Sequence, residues 1–134
     1  MTKSTLDQVR EFHETYGAAI NDEPHIADTD LNAFRVRLLQ EELDELKEAL
    51  ADGDAVETLD ALTDLQYVLD GAFLSLGMHG VKDTAFAEVH RSNMSKLGED
   101  GKPILRESDG KVLKGPNYFK PDLNKFVQKT DKAA

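Results

Sequence analysis

Glu41-Glu42-Leu43-Asp44-Glu45-Leu46-Lys47-Glu48-Ala49-Leu50-Ala51-Asp52-Gly53-Asp54-Ala55-Val56-Glu57-Thr58-Leu59-Asp60-Ala61-Leu62-Thr63-Asp64 holds ten acids and one base in 24 residues, yet it keeps the apolar period of two helices joined by Asp52-Gly53-Asp54. Glu41/Glu45 and Asp60/Asp64 are four apart, Glu42/Glu45 and Glu57/Asp60 three apart. Each such like-charge pair costs a helix roughly 0.2–0.5 kcal/mol. A hard divalent cation, which takes oxygen ligands, offsets that repulsion most simply, and the stretch reads as part of a metal-dependent enzyme.

The helices extend outward from this stretch. Asp30 is a good N-cap for the first, whose stripe is Leu31, Phe34, Leu38, Leu39, Leu43, Leu46 and Leu50 until Gly53 ends it. Asp54 can cap the second, with Glu57 as capping-box partner, and that helix runs to about Leu76 before Gly77. Its apolar residues, among them Val56, Leu59, Leu62, Leu69, Phe73 and Leu76, spread round most of the circumference, as on a helix buried on most sides. Upstream, Leu6, Val9, Phe12 and Tyr16 pattern a short helix stopped by Gly17. Downstream, Asp83 to Leu97 patterns another, with Phe86, Val89, Met94 and Leu97 inward. Ile104–Glu107 and Lys111–Lys114 flank Ser108-Asp109-Gly110 as a small hairpin, Gly115-Pro116-Asn117-Tyr118 and Pro121 mark an extended segment, and the last ten or so residues are expected to fray. The fold expected is all-α: a four-to-five-helix bundle in a single domain over residues 1–134, with a hairpin and extended tail over 98–134. Four short helices make a thin core, and the all-round apolar helix wants a partner, so a homodimer or higher homo-oligomer is expected.

A length of 134 residues allows one core of ordinary size. The absence of cysteine excludes disulfides and thiolate metal sites and fits a reducing, cytoplasmic compartment. No apolar run approaches the roughly 18 residues of a membrane span, so no membrane partner is expected. Net charge is −10 but segregated: residues 1–90 hold 6 Lys/Arg against 20 Asp/Glu, and residues 91–134 hold 10 against 6. The acidic total disfavours nucleic-acid binding. A small polyanion such as a nucleotide is different, because it needs metal ions on one side and a few cations on the other.

The short connection forces the two acidic helices to lie antiparallel and adjacent, so carboxylates near Glu42/Glu45 can face those near Asp60/Asp64. Four to six oxygen donors then suit one or two Mg²⁺ or Mn²⁺ ions that also hold a phosphate. Asp44, Glu48 and Asp52 read instead as a solvated face, and Glu57 has an alternative role in the capping box. Asp60 and Asp64 lie inside an apolar helix, where an unpaired charge is expensive.

Glu41-Glu42-Leu43-Asp44-Glu45 matches the EExxE motif of the all-α nucleoside triphosphate pyrophosphohydrolases, and Glu57-Thr58-Leu59-Asp60 or Asp60-Ala61-Leu62-Thr63-Asp64-Leu65-Gln66-Tyr67 matches their ExxD motif. Over roughly Phe34 to Leu97 the chain resembles this superfamily, which includes the MazG-like proteins, the dimeric dUTPases and phosphoribosyl-ATP pyrophosphohydrolase. One departure is plain: with Asp64 as the motif aspartate, the glutamate position falls on Ala61, and Asp60 or Glu57 must supply that ligand. The alternative pair Glu57/Asp60 leaves a gap after Glu45 slightly short for the family. All three acids stay candidates.

The resemblance implies hydrolysis of a nucleoside triphosphate to monophosphate and pyrophosphate, in control of a nucleotide pool. It makes Glu42, Glu45, Asp60 and Asp64, with Glu57, the Mg²⁺ ligands, and Glu41 the residue that orients or deprotonates water. MazG-like proteins place an Asn and a Lys against the nucleotide on the helix corresponding to His90–Lys96, so Arg91, Asn93 and Lys96 are the expected phosphate and sugar contacts. Lys111, Lys114, Asn117 and Tyr118 could close over the site. No histidine follows a Glu at i+3, which argues against a di-iron bundle, and the four histidines read as structural. Phosphoribosyl-ATP hydrolysis and a non-enzymatic acidic adaptor are the rival readings.

Overall fold

The computed structural model describes residues 2–127, and these divide after Gly80 into two compact units. The first unit holds three helices: α1 (Thr5–Tyr16), α2 (Thr29–Ala51) and α3 (Ala55–Ser75). The second holds α4 (Lys82–Met94) and a two-stranded antiparallel sheet of β1 (Ile104–Leu105) and β2 (Val112–Leu113). The protein is all-α but for this hairpin, and among the described residues no helix is long and apolar enough to cross a membrane. The fraying expected of the last residues falls mostly outside the described ones, and 124–127 form a helical turn.

Local chemistry sets the helix ends. Ser4 caps α1, its Oγ accepting from the Asp7 N–H at 3.0 Å, and Gly17 closes it in the left-handed conformation at φ 73°. The cap of α2 is Asp28 rather than the expected Asp30: Asp28 Oδ1 accepts from the Leu31 N–H at 3.0 Å. Asp30 lies in the first turn, where its charge still favours the positive end of the helix dipole. At the acidic connection Gly53 takes φ 65° and Asp54 caps α3 through the Glu57 N–H at 3.0 Å, as the sequence leads one to expect. The reciprocal half of that capping box is not made. The Asp54 N–H donates instead to the Ala49 carbonyl at 3.1 Å, which leaves the Glu57 carboxylate unclaimed by the cap.

α3 packs against both α2 and α1. Among the described residues the buried apolar side chains are Val9, Ala49, Ala61, Ala72 and Leu74. Small side chains at Ala49 and Ala61 bring the two acidic helices close together. Polar residues share this interior: His13 and Arg35 lie against Gly71, where an added Cβ would come within 2.7 Å of Arg35 Nη1 and 3.0 Å of His13 Nε2. Burial pushes the His13 imidazole below its ordinary pKa, so the neutral ring donates from Nδ1 to the Ala19 carbonyl at 3.1 Å.

The connection between α1 and α2 lies along the C-terminal end of α3 and satisfies carbonyls that a helix end leaves unpaired. Asn21 N–H donates to Leu74 O at 2.9 Å, Asn21 Nδ2 to Ser75 O at 2.7 Å, and His25 N–H to Leu76 O at 2.8 Å. Ser75 Oγ returns a bond to Ala19 O at 2.8 Å. This contact depends on Gly77, which has φ 70° and no room for a side chain: a Cβ there would lie 1.8 Å from the Glu23 carbonyl oxygen.

In the second unit α4 ends at Met94, short of the expected Leu97, and the expected inward face is not the covered one. Phe86 is 75% exposed, and Val89, Met94 and Leu97 are exposed as well, whereas Glu88 and Ser92 are buried. The segment after the hairpin binds this polar face: Glu88 accepts from the Asp122 N–H at 2.7 Å, and Ser92 Oγ donates to Phe119 O at 2.8 Å. The hairpin pairs Ile104 with Leu113 and Leu105 with Val112 around Gly110, which has φ 77°. Arg106 closes the turn on Asp109 at 2.6 Å.

Two glycine substitutions separate backbone strain from collision. Gly53→Ala, with open space around its Cβ, should cost about 1–2 kcal/mol from left-handed strain alone. Gly77→Ala, which adds contact with backbone, should exceed that clearly, as read from urea unfolding midpoints. Equal losses would show that the loop does not press on Gly77.

Candidate metal centre

Helix period and antiparallel packing together build the site. Glu42 and Glu45 share one face of α2, Asp64 projects from α3, and one carboxylate oxygen from each lies within 4.8 Å of the other two. Three like charges at that separation repel strongly unless a cation or protons intervene. The strain is visible at Glu42. Burial first, then the neighbouring Glu45 and the charges of Asp64 and Asp60, push its carboxyl up to about 7. Its Oε2 is buried with no hydrogen-bond partner. Asp64 is raised as well, by burial and then by the charges of Asp60 and Glu45.

Beside this cluster a cavity of about 320 Å³ opens between the helices, lined by Glu45, Glu48, Asp52, Glu57 and Asp60 with Ala49 and Ala61 as its apolar wall. Glu57 and Asp60 therefore face the same space as Glu45. Glu41 is exposed and belongs neither to the cluster nor to the cavity wall. Glu48 and Asp52, read from sequence as merely solvated, stand in the cavity wall. Their spacing of three and seven from Glu45 was the available signal, since it continues the same line along α2. Asp44 is exposed, its carboxylate bound by Gln40 at 2.9 Å.

This donor set fits a hard divalent cation. It is all oxygen, open on the cavity side, and contains a buried carboxylate oxygen with no donor of its own.

The expected substrate contacts belong to the second unit. Arg91 is already engaged: it bonds both Glu88 oxygens, at 3.0 and 3.2 Å, and its guanidinium lies 4.3 Å over the Phe119 ring. The same contact holds the Glu88 carboxyl below the usual carboxylate range. Asn93 is exposed and Lys96 half-buried, one turn apart through the bond from Lys96 N–H to Asn93 O. Lys111 is exposed in the hairpin, Asn117 is exposed after it, and Lys114 Nζ lies 4.9 Å over the Tyr118 ring.

Comparison with known proteins agrees with this chemistry. The family model described as phosphoribosyl-ATP pyrophosphohydrolase matches residues 9–93. Among solved structures the chain is similar to a candidate NTP pyrophosphohydrolase from Exiguobacterium sp. 255-15, at 24% identity over 99% of each chain and a TM-score of 0.34. A score that low carries no argument about the arrangement of the elements. No curated protein matches the chain. The chain belongs to the phosphoribosyl-ATP pyrophosphohydrolase family, within the all-α NTP pyrophosphohydrolase superfamily, and is a hydrolase of that kind.

The raised Glu42 carboxyl gives a signed pH dependence. The folded protein keeps that proton between the ordinary 4.5 and about 7, while the unfolded chain has released it, so stability falls as pH rises through this window. Without divalent metal, the wild-type midpoint should fall through the window more steeply than that of Glu42→Gln. Added millimolar Mg²⁺ should raise the wild-type midpoint, increasingly so toward pH 8, because ligand carboxylates must lose their protons. A midpoint indifferent to Mg²⁺ at pH 8 would remove the metal centre and favour an acidic adaptor.

Proposed function

We propose that this pyrophosphohydrolase cleaves a ribo- or deoxyribonucleoside triphosphate to the monophosphate and pyrophosphate with Mg²⁺, Mn²⁺ serving as a substitute. The observation that carries this reading is the meeting of Glu42, Glu45 and Asp64 within 4.8 Å on two facing helices. Glu42, Glu45, Asp60 and Asp64, with Glu57, would hold the cation. When bound, it supplies charge neutralisation on phosphate oxygens and lowers the pKa of a bound water. Glu42 would hold the cation as its deprotonated carboxylate. Glu41, exposed on the helix that carries Glu42 and Glu45, is the proposed group that orients or deprotonates the attacking water.

On the substrate side, Arg91 and Asn93 of α4 and Lys96 just beyond its end are the proposed phosphate and sugar contacts, with Lys111, Lys114 and Tyr118 of the hairpin region joining them. Arg91 would have to exchange Glu88 for phosphate. Lys96 has no such competition from an acidic side chain within 4 Å among the described residues. A second reading, phosphoribosyl-ATP as substrate, is favoured by the description of the matching family model. Both substrates place a triphosphate before the same carboxylates, and a direct panel separates them.

A homodimer in the cytoplasm completes the proposal. Leu50, Leu59 and Leu62 line a shallow, mostly apolar recess at the α2–α3 turn, and Val56 and Leu59 are 75% and 67% exposed. That much exposed apolar surface on one face is suited to a partner.

Two experiments test these statements. Glu45→Gln and Asp64→Asn should reduce Mg²⁺-dependent pyrophosphate release to background across canonical and modified (d)NTPs and phosphoribosyl-ATP, with helical circular dichroism unchanged. Turnover at the wild-type level in either variant rejects the assigned centre. Leu59→Glu should shift the mass measured by light scattering toward the monomer, whereas an unaltered oligomer would move the interface elsewhere.

A further inference from the structure

We propose that the cavity between α1 and α3 is a base-recognition site, built to take a nucleobase that carries an exocyclic amine. This rests on the nucleotide-hydrolase reading above and adds a substrate class to it. The cavity holds about 270 Å³, and its walls include Gln8 and Val9 of α1 and Thr63, Gln66, Tyr67 and Asp70 of α3. That is just below the roughly 300–1,000 Å³ of clefts that enclose a drug-sized ligand, so it suits one heterocycle and not a whole nucleotide.

Asp70 carries the argument. It is completely buried. Its Oδ1 accepts from Gln66 Nε2 at 3.1 Å, and its Oδ2 is buried with no partner. Among the described residues no cation stands within 4 Å of it. A buried carboxylate oxygen without a donor is costly, and a ligand that brings one relieves the cost.

Three of the nearby donors are engaged, while the hydroxyls of Thr5 and Tyr67, which also line the cavity, make no hydrogen bond among the described residues. Thr63 Oγ1 donates to Leu59 O at 2.7 Å, the Gln8 amide to Lys3 O at 3.3 Å, and the Gln66 amide to Asp70 itself. At Asp70 the inner wall offers an acceptor, so the group of the occupant that meets it must be a donor. Phosphate and carbonyl groups are repelled there, whereas the amino group of guanine, cytosine or adenine is matched. Uracil and thymine flank their single N–H with carbonyls and would set lone pairs against the carboxylate. The side walls suit a flat ring. Val9 is buried, and the Tyr67 ring is braced edge-on by Phe12 at 5.6 Å and 87°.

Position ties the cavity to the carboxylate cluster. Thr63 and Tyr67 bracket Asp64 in sequence, and Asp70 lies six residues beyond it on α3, about 9 Å along the helix at 1.5 Å per residue. A ribose and the first phosphates cover such a span.

The test uses the full chain without metal, titrated with cytidine, guanosine, uridine and thymidine and followed by NMR. Cytidine and guanosine should bind at least tenfold tighter than uridine and thymidine. Equal binding, or none, overturns the proposal. In Asp70→Asn the amide oxygen keeps the Gln66 bond, so the NH₂ replaces Oδ2 and the preference should turn toward uridine and thymidine; an unchanged ranking in a folded variant also overturns it. If that variant fails to fold, the wild-type ranking alone decides. Parallel pyrophosphate assays separate the two readings. Discriminating nucleoside binding with no (d)NTP hydrolysed leaves the base site standing and removes the hydrolase. Hydrolysis with indifferent nucleoside binding does the reverse.

Discussion

Close packing of α2 on α3 is the constraint from which the rest follows. A three-residue connection makes the helices antiparallel neighbours, and alanines at 49 and 61 let them approach. The acids of both sequences then share one space. Nothing in that packing neutralises them: Glu42 is left partly buried with an unpaired oxygen, and its proton is retained to about 7. The fold tolerates a repulsive arrangement that a divalent cation would relieve. On a solvated surface such charges part freely in water, and here the packing holds them together, which supports the proposed metal centre.

The first unit concentrates polar chemistry in its interior to an unusual degree. Among the described residues, His13, Arg35, Asp70 and Ser75 are all buried beside five buried apolar ones. Each polar group is placed by a specific device. Gly71 leaves a notch for Arg35 and His13, Ser75 ties the end of α3 to the α1–α2 connection, and Gln66 holds one oxygen of Asp70. Buried polar groups are nearly always hydrogen-bonded, so the unsatisfied atoms stand out. Glu42 Oε2, in the carboxylate cluster, and Asp70 Oδ2, beside the α1–α3 cavity, are two of them.

Much of the carboxylate site was legible in the sequence because helix period is rigid: residues three, four and seven apart share a face wherever the helix is placed. The face shared by Glu42 and Glu45 and the line through Asp60 and Asp64 were read that way, while the Asp54 cap and the turn at Gly110 were read from their own capping and turn residues. Glu48 and Asp52 obey the same period but were read as solvated, because period tells which residues align and not which line faces a neighbour. The polar face of α4 was missed for a related reason. Hydropathy marks Phe86 and Met94 as inward, but the segment around Phe119 to Asp122 binds Glu88 and Ser92 through backbone groups that leave no trace in side-chain pattern. Asp70 gave no warning, since a lone aspartate in an apolar helix has no motif around it.

The existence and order of the helices, the all-α class, the family resemblance and the charge segregation were determined by the sequence alone, because each depends on neighbours close along the chain. Tertiary structure decided which acids converge, that Glu57 is not taken up by the capping box, and that Asp70 is shut away with an oxygen unpaired. Those outcomes depend on side chains brought together from distant helices, where burial and Coulomb repulsion take their values only once the backbone has folded.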